Sequence, residues 1–392
     1  MAEWNTIKVG DIGQIITGKT PKTSNSSYYG GKIPFLTPSD DMSVKYVRET
    51  KKSITEDGRL SVKNATLPAN AVCVSCIGSD LGKVVITTEM TVTNQQINSI
   101  VVDEDNYDID YIYYAMVELG KILNFHSKTS TAVPIVNKSS FSQYELKCPP
   151  LEIQKKIGKL LSSIDSKIEE NERINNNLEQ QAQAIFENEF SSLQSLPDGW
   201  KLASLIDIAD YLNGLAMQKY RPSTNEIGIP VLKIKELRQG YCDDNSEFCS
   251  PSIKSDYIIH DGDVIFSWSG SLLVDFWCGG ICGLNQHLFK VSSSKYDKWF
   301  YYAWTKHHLD RFIAVAADKA TTMGHIKRDE LAKAEVLIPN EADYNRIGAL
   351  LQPIYDLIIS NRIENKKLAE TRDSLLPKLM SGEIDMSEVD YE

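Results

Sequence analysis

The feature that most constrains this chain is an internal repeat. Ile157-Gly-Lys-Leu160-Leu161-Ser-Ser-Ile164 returns as Ile347-Gly-Ala-Leu350-Leu351-Gln-Pro-Ile354, and at the same offset Pro149, Ile168, Asn171, Asn175 and Leu178 return as Pro339, Ile358, Asn361, Asn365 and Leu368. Upstream, Trp4, Asp11, Ile12, Gly18, Ile33 and Pro34 have counterparts in Trp200, Asp207, Ile208, Gly214, Ile229 and Pro230. Ser75, Gly78 and Ser79 match Ser267, Gly270 and Ser271; Asn94-Gln95 matches Asn285-Gln286; Tyr113-Tyr-Ala matches Tyr301-Tyr-Ala. A colinear series of this kind marks a duplicated architecture, in which each element must serve twice. With 392 residues, the chain therefore divides into globule, helix, globule, helix rather than unrelated domains.

The two repeated helical segments carry a heptad seam. Ile157, Leu161, Ile164, Ile168, Asn171, Asn175, Leu178, Ala182 and Ile185 follow alternating steps of four and three, and Ile347, Leu351, Ile354, Ile358, Asn361, Asn365, Leu368, Arg372 and Leu375 repeat the pattern. Asparagine in a seam costs stability unless it meets a polar partner, so its use is to fix register. Antiparallel pairing about a pseudo-twofold axis sets Asn171 and Asn175 against Asn365 and Asn361. The alternative is that each helix merely covers its own globule. The first helix is expected over 151–190, about 60 Å at 1.5 Å per residue, and Pro197-Asp-Gly199 breaks the chain after it. Pro353 stands where the first copy has Ser163, which predicts a kink or a late start in the second helix. The expected order is a globule over 1–150, the helix over 151–190, a globule over 197–339, a helix over 340–380 and an acidic tail over 381–392.

Each globule reads as mixed α/β. Val72-Cys-Val-Ser-Cys-Ile77, Val84-Val-Ile86, Ile97-Asn-Ser-Ile-Val-Val102 and Asp263-Val-Ile-Phe-Ser-Trp268 read as strands, and Tyr107 to Leu123 as a helix. The loops between them hold groups suited to phosphates and base edges. In the first copy these are Lys19, Thr20, Lys22, Asn94, Gln95, Lys128, Thr129 and Thr131. In the second they are Gln218, Lys219, Arg221, Asn285, Gln286, His287, Lys319, Thr321 and Thr322. The chain has 42 Lys and Arg against 53 Asp and Glu, a formal charge of −11, which taken alone argues against a nucleic-acid partner. The charge is uneven, however: Lys45, Arg48, Lys51, Lys52, Arg59 and Lys63 cluster in one short stretch.

Several apparent catalytic signatures fail on context. Gly13-Gln-Ile-Ile-Thr-Gly18-Lys19-Thr20 fits a phosphate-loop spacing, yet Pro21 and a polar run follow where a helix is required. Cys73-Val-Ser-Cys76 has metal or redox spacing, but its counterparts are Ile265 and Trp268, as expected of core strands. Cys278 and Cys282 with His287 form a weaker metal candidate. No catalytic, cofactor-binding or metal residues are assigned. The 7 cysteines are expected to be reduced, and no run is apolar enough to span a bilayer, so the protein is expected to be cytoplasmic.

Gly18-Lys-Thr-Pro21, Pro149-Pro-Leu-Glu-Ile-Gln-Lys-Lys-Ile157, Ile338-Pro-Asn340 and Leu375-Leu-Pro-Lys-Leu-Met-Ser-Gly-Glu-Ile384 together make the chain similar to the specificity (S) subunit of type I restriction-modification enzymes. It departs from that pattern at Pro353 and in lacking a second Gly-Lys-Thr-Pro. The resemblance implies two target-recognition domains that read a bipartite, asymmetric site on double-stranded DNA, with the paired helices as a ruler. It also implies two modification (methyltransferase) subunits and restriction subunits as partners, on which S-adenosylmethionine, ATP and Mg are expected, and no catalysis in this chain. Two further readings are a coiled-coil adaptor that never touches DNA and a nucleotidase built on Lys19.

Overall fold

The computed structural model describes residues 4–129, 135–318 and 328–389. It resolves into two compact units, one of residues 1–167 with 368–392 and one of residues 168–367. Each long helix, Leu151–Phe186 and Glu341–Ser381, therefore contributes one half to each unit.

In the first unit, a five-stranded sheet has the order Gly13–Thr17, Ile97–Val102, Val72–Ser75, Val84–Thr87, Tyr46–Val47. Its central strands are buried on both faces. Val72, Val74, Val84 and Ile100 face the helix Ile109–Thr129, packing with Ile112, Met116 and Leu119, while Cys73, Val85 and Ile97 pack on Leu36, Met42 and Leu67. Burial on both faces explains why these strands read as continuous apolar runs rather than as strict alternation. A second sheet of four short strands has the order Ser53–Ile54, Tyr29–Leu36, Thr91–Thr93, Thr66–Leu67, with a parallel pairing of Phe35 to Val92 and Leu36 to Thr93.

The second unit repeats this topology. One sheet has the order Asp210–Asn213, Leu288–Ser292, Val264–Ser267, Leu273–Phe276; the other has Phe248–Cys249, Ile229–Leu232, Cys282–Leu284, Ile258–Ile259. Its parallel pair, Val231 to Gly283 and Leu232 to Leu284, corresponds to the one in the first unit. The duplication thus reaches the pairing of individual strands. The helix Lys298–His307 packs Trp299, Phe300, Tyr302 and Trp304 into a core rich in rings, against Phe266, Phe276 and Phe289 of the sheet.

The long helices pair antiparallel within each unit. In the second unit, Asn361 Nδ2 donates to Asn175 Oδ1 at 2.9 Å and Asn171 Nδ2 donates to Asn365 Oδ1 at 2.8 Å. Asn365 in turn donates to the carbonyl of Ile168 at 3.2 Å, and Arg346 grips Glu189 with two bonds of 2.9 and 2.7 Å. Apolar packing continues through Ala182, Phe186 and Phe190 of the first helix and its terminal turn against Ile347, Leu351, Tyr355 and Ile358. In the first unit, Ile157 and Leu161 share a core with Leu376 and Leu379. The helices therefore do more than cover a globule of their own.

Two expectations need correction. The second helix begins at Glu341 and runs without a break through Pro353 to Ser381. The proline ring lies on the exposed face, so it removes one backbone donor from a helix held mainly by packing. The acidic tail, too, is not simply a charged end: Met386 is buried, Ile384 and Val389 pack on the same core as Trp4, and Lys156 donates to the carbonyl of Ser387.

A cationic junction ties helix to globule in each unit. The Lys45 side chain, only 7% exposed, pairs with Asp110 at 2.7 Å, donates to Ser162 Oγ at 2.6 Å and lies 4.7 Å from the centre of the Tyr114 ring. The Tyr114 hydroxyl donates to Asp165, which pairs with Arg372 at 2.8 Å. In the second unit, Arg362 joins Asp275 at 2.6 Å and Glu179 at 2.8 Å, and Lys306 reaches Glu179 at 3.3 Å.

Two predictions follow from the packing of the second unit. Asn175→Ala leaves the Asn361 amide buried without its partner and should lower stability by about 1–3 kcal/mol in urea unfolding; Asn175→Leu with Asn361→Leu should recover much of that loss while broadening the oligomeric and register distribution. His308 is buried, and its Nε2 donates to the carbonyl of Glu335 at 2.8 Å. Burial holds its pKa down at about 4 against an ordinary 6.5, so the unfolded chain takes up a proton that the folded chain refuses. Its contribution is full above pH 6.5 and should fall as the pH drops toward 4; a His308→Gln variant should lose less stability than the parent between pH 7 and 5.

Candidate nucleic-acid interface

In both units the residue just after a strand is a glycine that is pressed against an asparagine turn. Gly18 donates its N–H to the carbonyl of Ile97 at 3.1 Å, and Lys19 donates to that of Thr93 at 2.8 Å. A Cβ on Gly18 would stand 2.1 Å from the carbonyl oxygen of Asn94. In the second unit, Gly214 donates to Leu288 at 3.0 Å and Leu215 to Leu284 at 2.9 Å, and a Cβ on Gly214 would stand 2.2 Å from the Asn285 oxygen. The glycines are there because no side chain fits.

The asparagines themselves are inward-facing. Asn94 is 8% and Asn285 4% exposed. Asn94 Oδ1 accepts from the N–H of Gln96 at 3.1 Å and Asn285 Oδ1 from that of His287 at 3.3 Å, so both close Asx-type turns. Their backbone N–H groups are spent on Leu36 and Leu232 of the parallel strands. Of their neighbours, Gln95 is exposed in the first unit, whereas Gln286 and His287 are half-buried in the second, with the Gln286 amide 3.3 Å from His287 Nε2.

The remaining candidates distribute around these turns. Lys19 and Lys22 are exposed on the loop after Gly18, and the Thr20 hydroxyl donates to Gln95 Oε1 at 2.7 Å, which joins the loop to the turn. Gln218 and Lys219 are exposed on the short helical turn Met217–Lys219 after Gly214. Arg221 is paired with Glu247 at 3.0 Å, which Lys233 also contacts at 2.5 Å. Thr131, Lys319, Thr321 and Thr322 lie outside the described residues, as do the side chains of Lys128 and Thr129.

The basic stretch is only in part a surface. Arg48, Lys51, Lys52 and Lys63 are exposed, whereas Lys45 is buried in the aromatic junction and Arg59 pairs with Glu56. Sequence reasoning also missed Trp268. Its indole N–H donates to Asn213 Oδ1 at 3.0 Å, and its ring stacks on Phe289 beside His287, adding a half-buried aromatic wall to the second turn. The available signal was a tryptophan opposite Cys76 at the end of a matched strand.

The catalytic signatures dissolve in the structure. Gly13–Thr17 is a strand paired antiparallel with Ile97–Val102, and the next helical turn is the three-residue Ser26–Tyr28, so no strand–loop–helix cradle exists there. Burial pushes the Cys73 thiol up to about 12, and it lies in the sheet core. Cys278 Sγ faces the carbonyl of Ile359 while Cys282 faces Cys242, so the suggested set with His287 does not converge. Among the described residues no group of three or more His, Cys, Asp or Glu is placed to hold a metal ion, and no helix is long and apolar enough to cross a membrane.

Two copies of one scaffold with two main sheets, each carrying a glycine-backed polar turn, define a duplicated-module architecture. The family described as type I restriction modification DNA specificity domain matches this chain twice, over residues 1–180 and 197–370, and the chain belongs to that family. It is similar along nearly its whole length to the specificity subunit of the type I restriction enzyme MjaIX of Methanocaldococcus jannaschii, at 27% identity over 99% of this chain and 95% of that protein. A stretch of 177 residues, 44% of this chain and 38% of the other, is 33% identical to the HindI specificity subunit of Haemophilus influenzae. Its fold is similar to that of a type I restriction-modification S subunit from M. genitalium, with a TM-score of 0.58 at 14% identity over 98% of this chain and 97% of that one.

The close approach at the turns yields a stability prediction. Gly18→Ala should destabilise the first unit by about 2–4 kcal/mol, because the new methyl meets a backbone carbonyl that cannot move aside. Urea unfolding followed by hydrogen exchange should locate the loss at Thr93–Ile97 and leave Leu284–Leu288 unchanged.

Proposed function

We propose that this chain is the non-catalytic DNA-reading component of a type I restriction-modification complex. Each globule reads one half of a bipartite, asymmetric site on double-stranded DNA, and the paired helices set the unread gap. The observation that carries this reading is the recurrence of the glycine-backed turn in both units, with exposed glutamine and lysine groups around it. Lys19, Lys22 and Lys219 are suited to phosphates, and Gln95, Gln218 and Gln286 to base edges, where an amide can both donate and accept. Readers of equivalent grooves on one face of a duplex must lie about one helical turn or a multiple apart, which calls for a stiff spacer. Helices with a fixed polar register meet that need.

The net charge of −11 fits a reader whose phosphate contacts are local and shared. Two modification subunits and restriction subunits would contribute the rest, and would hold S-adenosylmethionine, ATP and Mg. Family membership supports this assembly.

The test exchanges residues 1–148 for the same segment of a relative and sequences the methylated adenines. One half-site should change while the other half-site and the gap are kept; an unchanged motif would refute the assignment. Binding of the purified complex to duplex should also weaken steeply with salt, since counterions are released at each phosphate contact. An adaptor that never touches DNA predicts no such slope.

A further inference from the structure

Two thiols of the second unit stand apart from the other cysteines. Cys242 Sγ and Cys282 Sγ lie 3.4 Å apart, although 39 residues of chain separate Cys242 from Cys282. Both are free, Cys242 half-buried and Cys282 fully buried. We propose that Cys242 and Cys282 are a reversible disulfide site for a two-electron oxidant of the hydroperoxide class, and that the bond clamps the strand leading into the Asn285–Gln286 turn.

The surroundings favour this pair over the remaining thiols. Cys282 opens the strand Cys282–Leu284, which is paired on one side with Ile229–Leu232 and on the other with Ile258–Ile259, and its side chain packs with Leu232, Trp277 and Leu284. Cys242 lies at the rim of the same cluster, just after Gly240 ends the helix Ile234–Gln239. Its loop is held in place: Ser246 Oγ donates to the buried Glu236 at 2.9 Å and Lys235 pairs with Asp243 at 2.7 Å. The sulfurs need close by little more than 1 Å to reach a bonding distance of about 2.05 Å. Hydrogen bonding from Cys282 also lowers the pKa of the Cys242 thiol and raises that of Cys282, so the accessible sulfur is the one that ionises first. Cys73, Cys76, Cys148, Cys249 and Cys278 are all buried with thiols pushed up by desolvation, so they are poor nucleophiles.

The chemistry balances in two steps. The Cys242 thiolate attacks the terminal peroxide oxygen; an S–O bond forms, the O–O bond breaks, and the other oxygen leaves with a proton as an alcohol or water. Cys282 sulfur then attacks the sulfenic sulfur of Cys242; the S–S bond forms, the S–O bond breaks, and hydroxide leaves with the Cys282 proton as water. Two thiols and one hydroperoxide become one disulfide, one alcohol or water, and one water. A dithiol reverses the change. The bond joins the loop after Gly240 to the strand whose next residue, Asn285, closes the turn, and so restrains local opening there. Any effect on sequence reading rests on the function proposed above; the bond itself does not.

The full chain is treated with hydrogen peroxide, quenched, alkylated without reduction and mapped by mass spectrometry. A Cys242–Cys282 cross-linked peptide should form and disappear with dithiothreitol while the other five thiols stay reduced, and Cys242→Ser should abolish it. Cys282→Ser should instead leave a Cys242 sulfenic acid that dimedone traps. Hydrogen exchange at Leu284–Leu288 should slow about tenfold in the oxidised protein. A cross-link that appears only after unfolding in urea, or Cys242 that passes to sulfinic acid without pairing, overturns the site. Unchanged exchange in a cross-linked sample overturns the clamp. DNA enters none of these readouts, so they stand or fall separately from the DNA-reading role.

Discussion

Register in the antiparallel helical seam is the constraint on which the rest of this structure depends. An all-apolar seam tolerates sliding by a heptad at little cost, because one leucine layer resembles the next. Asn175 with Asn361 and Asn171 with Asn365 remove that freedom, since any slip would bury amides against hydrocarbon. The choice of register then decides which stretch of the second helix supports which globule. Leu376 and Leu379 complete the core that contains Tyr111 and Ile112, and Ile347 and Leu351 complete the one that contains Trp299 and Phe300. The polar positions are few, but each apolar core inherits its membership from them.

The two units solve the attachment of helix to globule with the same chemistry and different residues. Tyr114 and Tyr302 occupy matched places, and each has a lysine ammonium within reach of its ring. In the first unit the lysine is Lys45, brought by the extra strand Tyr46–Val47, which has no partner of its kind in the other sheet order. In the second it is Lys306, from the globule's own helix, and the cation held between two carboxylates is the partly buried Arg362. A buried charge of this sort gives little net stability but is costly to break, so it fixes an angle more than it adds free energy. Divergence around a conserved junction leaves the loops free to differ, as Trp268 and Cys76 do at corresponding strand ends.

Much of the fold was legible in the residues. Ile97–Val102 and the long helices lie where hydrophobic periodicity puts them, and the asparagine positions meet as antiparallel pairing requires. The second sheet in each unit was not legible, because strands such as Ser53–Ile54 and Phe248–Cys249 are too short to show a period. The site was legible only in part. Asn94 and Asn285 looked like groups for base edges, yet a side chain that closes a turn and one that faces a ligand have the same identity in sequence. Lys45 likewise looked like surface charge, and only three surrounding rings and Asp110 make it an internal cation.

By itself the sequence determined that one design is used twice, that two heptad helices join the copies, and that polar residues fix their register. Those are properties of periodicity and repetition, which survive without knowledge of any contact. Only the tertiary structure decided which polar side chains are spent internally and which face outward, that Pro353 leaves its helix intact, that the acidic tail folds back onto Trp4, and that Cys242 meets Cys282. Each of these depends on what a distant segment places beside the residue, and burial, hydrogen-bond partners and steric room are set by that neighbour rather than by the residue's own position along the chain.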